Sequence, residues 1–167
     1  YSAIVAAFGG LIQQLLGENE AQLQEWREKL LQRLGNNGQV IIDVIPEVEL
    51  IIGKQPPVPV VGANEAQNRF NLVISNFISV LCDIEHPLTL FLDDLQWADL
   101  ATLKLMERML VEGQIQYLFL LGAYRDNEVS AIHPLAMSLE KFRQNNNEVN
   151  QITLNQIGRS TRLNSSH

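Results

Sequence analysis

What this chain has little of narrows its chemistry before any motif is read. It holds one cysteine, Cys82, in 167 residues, so it contains no disulfide framework and no cysteine-based zinc site. Cys82 falls on the apolar face of a helical pattern, where a lone thiol acts as a small buried hydrophobe, and such usage suits a reducing cytoplasm. No apolar run approaches the roughly 20 residues that a bilayer span needs. The first residues, Tyr1-Ser2-Ala3-Ile4-Val5, carry neither a Met nor a basic stretch ahead of an apolar one, so no signal peptide is read and the chain is expected to be cut from a longer one. Basic residues are scarce: 12 Lys and Arg against 19 Asp and Glu give a net charge of -7, which argues against nucleic acid or an anionic membrane as the main partner. Prolines are few and clustered, with Pro56, Pro57 and Pro59 making residues 53–62 an extended connection.

The remainder suits a single folded unit. A hydrophobic fraction of 46% and a charged fraction of 19% allow one domain with a real core, and 167 residues are too few for two full ones. Ile4, Phe8, Leu11, Ile12 and Leu15 recur at helical spacing and predict a helix from Ser2 to about Leu16, closed by Gly17. A second helix is expected from about Glu20 to Leu34, with Leu23, Trp26, Leu30 and Leu34 on one face and Glu25 paired with Lys29 on the other. Gly35-Asn36-Asn37-Gly38 is expected to stop it. Residues 39–52 are ambiguous between helix and strand, and Pro46 favours a short helical or irregular piece. Asn64 opens the clearest helix, with Phe70, Val73, Ile74, Phe77, Ile78 and Leu81 in one stripe.

The period then changes. Leu88-Thr89-Leu90-Phe91-Leu92 is a short apolar run that predicts a strand buried on both faces of a parallel sheet. Asp99 caps a helix from about Leu100 to Val111, with Leu103, Met106, Met109 and Leu110 inward. Tyr117–Leu121 reads as a second buried strand closed by Gly122, a helix follows Pro134, and a third strand is expected at Val149–Leu154. Helices alternating with short apolar strands predict an open, mostly parallel α/β sheet with a helical N-terminal portion. Residues 158–167 are polar and aperiodic and resemble translated adapter sequence; they are read as a disordered or artefactual tail.

The site-bearing stretch is Leu90-Phe91-Leu92-Asp93-Asp94-Leu95-Gln96-Trp97-Ala98-Asp99. Open α/β sheets bind ligands beyond the carboxyl ends of their strands, and two adjacent carboxylates there imply a cation or a tightly held water. An apolar strand ending in an acid is the Walker B pattern, in which the first acid holds Mg²⁺ and the second orients or deprotonates the attacking water. By position Asp93 serves the metal and Asp94 the water. The bland alternative is an acidic turn ahead of the helix that Asp99 caps. Trp97 is read as a packing residue rather than a nucleotide stacker, and Gln96 and Asp99 as support for the site, although capping alone accounts for Asp99. His86 and His133 each precede a proline, lack a partner at ligand spacing and read as loop residues.

A phosphate-binding loop is missing. It requires Gly, four residues, then Gly-Lys-Ser/Thr, so that backbone amides and the lysine wrap the β- and γ-phosphates. The only Gly-Lys is Gly53-Lys54, where Val48 replaces the first glycine, Gln55 replaces the hydroxyl residue, and prolines forbid the following helix.

Leu90–Asp99 together with Tyr117-Leu118-Phe119-Leu120-Leu121-Gly122-Ala123-Tyr124-Arg125-Asp126 resembles the AAA-type P-loop ATPase module of the signal-transduction ATPases with numerous domains. More narrowly it is similar to the ATPase segment of very large bacterial signalling proteins, set between a serine/threonine kinase domain and a sensor histidine kinase. The likeness covers residues 1–157, including the Tyr1-Ser2-Ala3-Ile4 helix. It implies a partial P-loop NTPase domain whose phosphate loop lies upstream of Tyr1, with ATP and Mg²⁺ as cofactors. It also implies a polar sensor near the γ-phosphate at the place of Arg125, for which a capping arginine paired with Asp126 or Glu128 is the alternative. The expected function is an ATP-binding and ATP-hydrolysing switch, cytoplasmic, partnered by flanking kinase or sensor domains of the same polypeptide, with room for self-association of the intact protein. This segment alone is expected to be inactive. The alternative is a nucleotide-binding or scaffold module without turnover. A phosphorylation-receiving domain is rejected, because neither Gly122-Ala123 nor Asn155-Gln156 supplies the acceptor aspartate or lysine such a domain needs.

Overall fold

The computed structural model describes residues 2–111, 115–144 and 149–154; the expected tail lies outside them. Helix α1 (Ser2–Leu15) places Ile4, Phe8, Ile12 and Leu15 inward. Helix α2 (Glu20–Leu34) begins at a capping box: the Gln22 N–H donates to Asn19 Oδ1 at 3.0 Å, while the Asn19 N–H donates to Gln22 Oε1 at 3.4 Å. Its inner face is Trp26, Leu30 and Leu34, and Lys29 meets Glu25 at 2.8 Å on the outside.

The glycine–asparagine stretch ends α2 at Leu34, as expected, with Gly35 at φ 54°. It forms a 3-10 turn (Gly35–Asn37) that leads straight into α3 (Gly38–Ile42). A further 3-10 turn (Pro46–Val48) and α4 (Glu49–Ile52) make the ambiguous segment helical in short pieces. Pro46 sits at the start of its turn, where a missing N–H costs nothing. Buried Ile41, Ile45, Val48, Ile51 and Ile52 fold these pieces onto α1 and α2. Gly53, at φ 73°, ends α4 and begins the extended proline connection.

Helix α5 (Ala63–Leu81) starts one residue before the expected Asn64, behind Gly62 and with no side-chain cap. Its buried stripe is Val73, Ile74, Phe77, Ile78 and Leu81. The Phe77 ring meets Phe8 edge-on, with centroids 5.8 Å apart, which joins α5 to α1.

Strand β1 (Leu88–Leu92), helix α6 (Leu100–Val111) and strand β2 (Leu118–Gly122) form a parallel βαβ unit, and α7 (Pro134–Gln144) packs on α6. The register runs from Leu88↔Leu118 to Leu92↔Gly122. Leu90 and Leu92 face the shared core, as do Leu103, Leu105, Met106 and Met109 of α6. The α/β class expected from the sequence is present, as parallel strands with a helical N-terminal portion.

Three expectations are corrected. Tyr117 is not in the strand, because its φ of 61° is left-handed; β2 starts at Leu118. Neither strand is buried on both faces, since Phe91, Phe119 and Leu121 share an exposed face that no described helix covers. Val149–Leu154 is not a strand among the described residues. Its Ile152 and Leu154 are exposed, while Gln151 is tied through its side chain to Arg143 at 2.8 Å and to Tyr124 Oη at 2.9 Å. Those side-chain bonds replace a ladder, because β1 and β2 pair with no further strand among the described residues.

Candidate functional site at the ends of the parallel strands

The carboxyl ends of β1 and β2 are bound together beyond their register. The Ala123 N–H donates to the Leu92 carbonyl at 2.9 Å, and the Leu95 N–H donates to the Ala123 carbonyl at 2.9 Å. A 3-10 turn (Leu95–Trp97) therefore crosses the end of β2 and drops Leu95 against Gly122. A Cβ on Gly122 would overlap Leu95 Cδ1, so any larger residue there forces the Leu95 side chain to move.

Asp93 and Asp94 stand where β1 gives way to this turn, and both are exposed. Asp93 Oδ1 accepts the Asp94 N–H at 2.8 Å. Asp94 adopts φ 52°, ψ 41°, a left-handed conformation that costs an L-residue about 1–2 kcal/mol and that aspartate tolerates better than most. Gln96 is the buried polar residue of the turn, 5% exposed. Its Nε2 donates to Asp94 Oδ1 at 2.8 Å, and its Oε1 accepts the Arg125 N–H at 3.2 Å. One amide thus spans from the acid after β1 to the backbone after β2.

Arg125 lies past the end of β2, as its spacing predicts. Its guanidinium donates to Glu128 Oε1 at 3.2 Å and its side chain is 65% exposed, so in this conformation it pairs within its own loop. Asp99 caps α6 by accepting the Thr102 N–H at 2.6 Å. Trp97 is a correction: 76% exposed, it does not pack. The turn sends Leu95 and Gln96 inward and leaves the indole outside, which inverts the order hydrophobicity suggests. The role of Gln96 as the bridge is visible only in three dimensions, since its partner lies 29 residues away.

The remaining candidates resolve as structural. Gly53-Lys54 leads into an extended segment and forms no phosphate loop. His86 sits edge-on to Trp26 with centroids 5.3 Å apart, and its Nδ1 is 3.0 Å from Asp83 Oδ1. His133 Nδ1 accepts the Leu135 N–H at 3.1 Å at the start of α7. Burial pushes the Cys82 thiol up to about 11, and Asp83 beside it adds to the shift.

No cluster of three His, Cys, Asp or Glu among the described residues is arranged to hold a metal alone. Two exposed neighbouring carboxylates fit a different ion: Mg²⁺ keeps several waters and binds one or two carboxylates together with substrate phosphates. The donor set therefore suits magnesium carried with a nucleotide rather than an all-protein cage.

Residues 1–121 match the family model of the AAA ATPase domain, and the chain belongs to that family. The match takes in Asp93, Asp94 and Gln96 and ends inside β2, before Arg125. The Hybrid signal transduction histidine kinase G of Dictyostelium discoideum is 37% identical over 110 residues, which is 66% of this chain and 3% of that protein. The chain thus spans a small fraction of the curated relative it matches. No solved structure matches it. Among the described residues no helix is long and apolar enough to cross a membrane.

Proposed function

We propose that residues 1–157 are part of an ATP-hydrolysing switch module of a multidomain signalling protein. The observation that carries this is the acid pair, Asp93 and Asp94, at the carboxyl end of a parallel strand whose end is bound to that of its neighbour. Asp93 is the Walker B acid and would hold Mg²⁺. Magnesium bound with ATP supplies charge neutralisation on the phosphate oxygens. Asp94 accepts the proton of the attacking water or orients it. Its backbone is held left-handed and its carboxylate is anchored by Gln96, so the chain itself presets its position.

Arg125 is the sensor of the γ-phosphate. To reach a phosphate its guanidinium must leave Glu128, and an exposed ion pair of this kind is worth about 1 kcal/mol or less. A charge-assisted bond to phosphate outweighs that loss, so exchange of partners is the sensing event. The hybrid histidine kinase relative supports flanking kinase or sensor domains on the same polypeptide as the partners that feel the change.

The second reading is a nucleotide-holding scaffold without turnover. It is favoured by the Arg125–Glu128 pair and by the place of Arg125 beyond the family match. Steady-state ATPase assays on the intact protein separate the two. Turnover that Asp94→Asn lowers about 10²-fold or more, with ATP binding kept, supports the switch; binding with no turnover in the unmutated protein supports the scaffold.

A further inference from the structure

We infer that Gln96 is a positioning residue for hydrolysis: its side-chain amide fixes the Asp94 carboxylate and ties it to the backbone of Arg125, so that the assigned base and the sensor segment move as one unit. This rests on the role proposed above for Asp94.

Four observations carry it. Gln96 is almost wholly buried in a turn where the neighbouring tryptophan is exposed, so a polar side chain occupies the inward place and an apolar one the outward place. Desolvating an amide is costly unless both its ends are bonded, and here both are. The Nε2 donates to Asp94 Oδ1 at 2.8 Å, and the Oε1 takes the Arg125 N–H at 3.2 Å. Asp94 also sits in a left-handed conformation in which its carboxylate is anchored on one oxygen, leaving the other for water. The same turn is tied to β2, with the Leu95 side chain packed on Gly122 and the Leu95 N–H donating to the Ala123 carbonyl at 2.9 Å.

A mere core amide would stabilise the fold without discriminating among steps of the reaction. A positioning residue affects turnover, and only while Asp94 can act. The test is a double-mutant cycle in the intact protein, with Gln96→Met and Gln96→Glu each made in the unmutated and Asp94→Asn backgrounds. Met keeps the length without either bond. Glu keeps an acceptor for the Arg125 N–H and sets a carboxylate against Asp94 in place of the donor, which turns that contact from a bond into a repulsion. Each is read as kcat and KM for magnesium-ATP, with the thermal midpoint recorded.

The expected result is a loss in kcat of about 10-fold or more for both variants, KM within about twofold, and a further loss of less than about twofold once Asp94 is Asn. The inference is overturned if the Gln96 loss is the same size in both backgrounds, if it appears in KM alone, or if Gln96→Glu matches the unmutated rate. If Gln96→Met does not fold, Gln96→Glu decides by the same cycle. The two claims fail differently: an Asp94→Asn protein that turns over normally removes the role of Asp94 and this inference with it, whereas a normal Gln96 series beside a dead Asp94→Asn removes the inference alone.

Discussion

Gly122→Ala is the most exacting test of how the two strand ends are joined. The added Cβ falls onto Leu95 Cδ1, the end of a side chain that must give way inside the core. Leu95 is buried, and its N–H is fixed to the Ala123 carbonyl at 2.9 Å. Relief requires an off-rotamer Leu95 or a shift of the whole turn, and overpacking of this kind costs about 1–3 kcal/mol. At roughly 2–4 °C per kcal/mol for a unit of this size, the melting temperature should fall by roughly 2–12 °C. Because the turn also carries Asp94 and Gln96, kcat should fall with it. Thermal denaturation followed by circular dichroism gives the first number. Leu95→Ala alone should cost about 2–5 kcal/mol through the cavity it leaves. Combined with Gly122→Ala it should cost less than the sum, since the new methyl then fills space. An unchanged melting temperature for Gly122→Ala, or strict additivity in the pair, would refute the packing argument.

Other consequences are simpler to check. Cys82 should resist iodoacetamide at pH 8: with its thiol raised from 9.0 to about 11, native alkylation should run about 100-fold slower than in denaturant. By linkage, the contribution of Cys82 to stability is fully present below pH 9 and is lost as pH rises through about 11, which a pH series of urea melts would register. Asn19→Ala removes the capping box of α2 and should lower stability by about 1 kcal/mol without altering turnover, measured by chemical denaturation. Calorimetry on residues 1–167 alone should show no magnesium-ATP dissociation constant tighter than about millimolar, since most triphosphate affinity comes from a phosphate loop that these residues do not contain.

Much of this fold was readable from periodicity. The stripes of α1, α2 and α5 are long and apolar on one face, so spacing alone locates them. Both strands announce themselves as runs of five residues bounded by turn or acidic residues. Apart from Tyr117, where a left-handed φ delays the strand, the errors come from tertiary placement. A run such as Leu88–Leu92 reads as buried on both faces, yet alternation in space leaves Phe91 exposed with Phe119 and Leu121. Val149–Leu154 has strand propensity, but propensity does not create a partner to pair with. At the site, the acid pair and its place after β1 were legible, because an apolar strand ending in Asp-Asp is a local pattern. The bond from Gln96 to Arg125 joins residues 29 apart, and the left-handed Asp94 and outward Trp97 follow from a turn geometry that hydrophobic patterning does not encode.

Single-turnover hydrolysis of magnesium-ATP by the intact protein, compared with its Asp94→Asn variant, tests the central claim most directly. The account predicts that the variant keeps nucleotide binding within about threefold and loses about 10²-fold or more in the hydrolysis rate. An Asp94→Asn protein that hydrolyses ATP at the unmutated rate would contradict it.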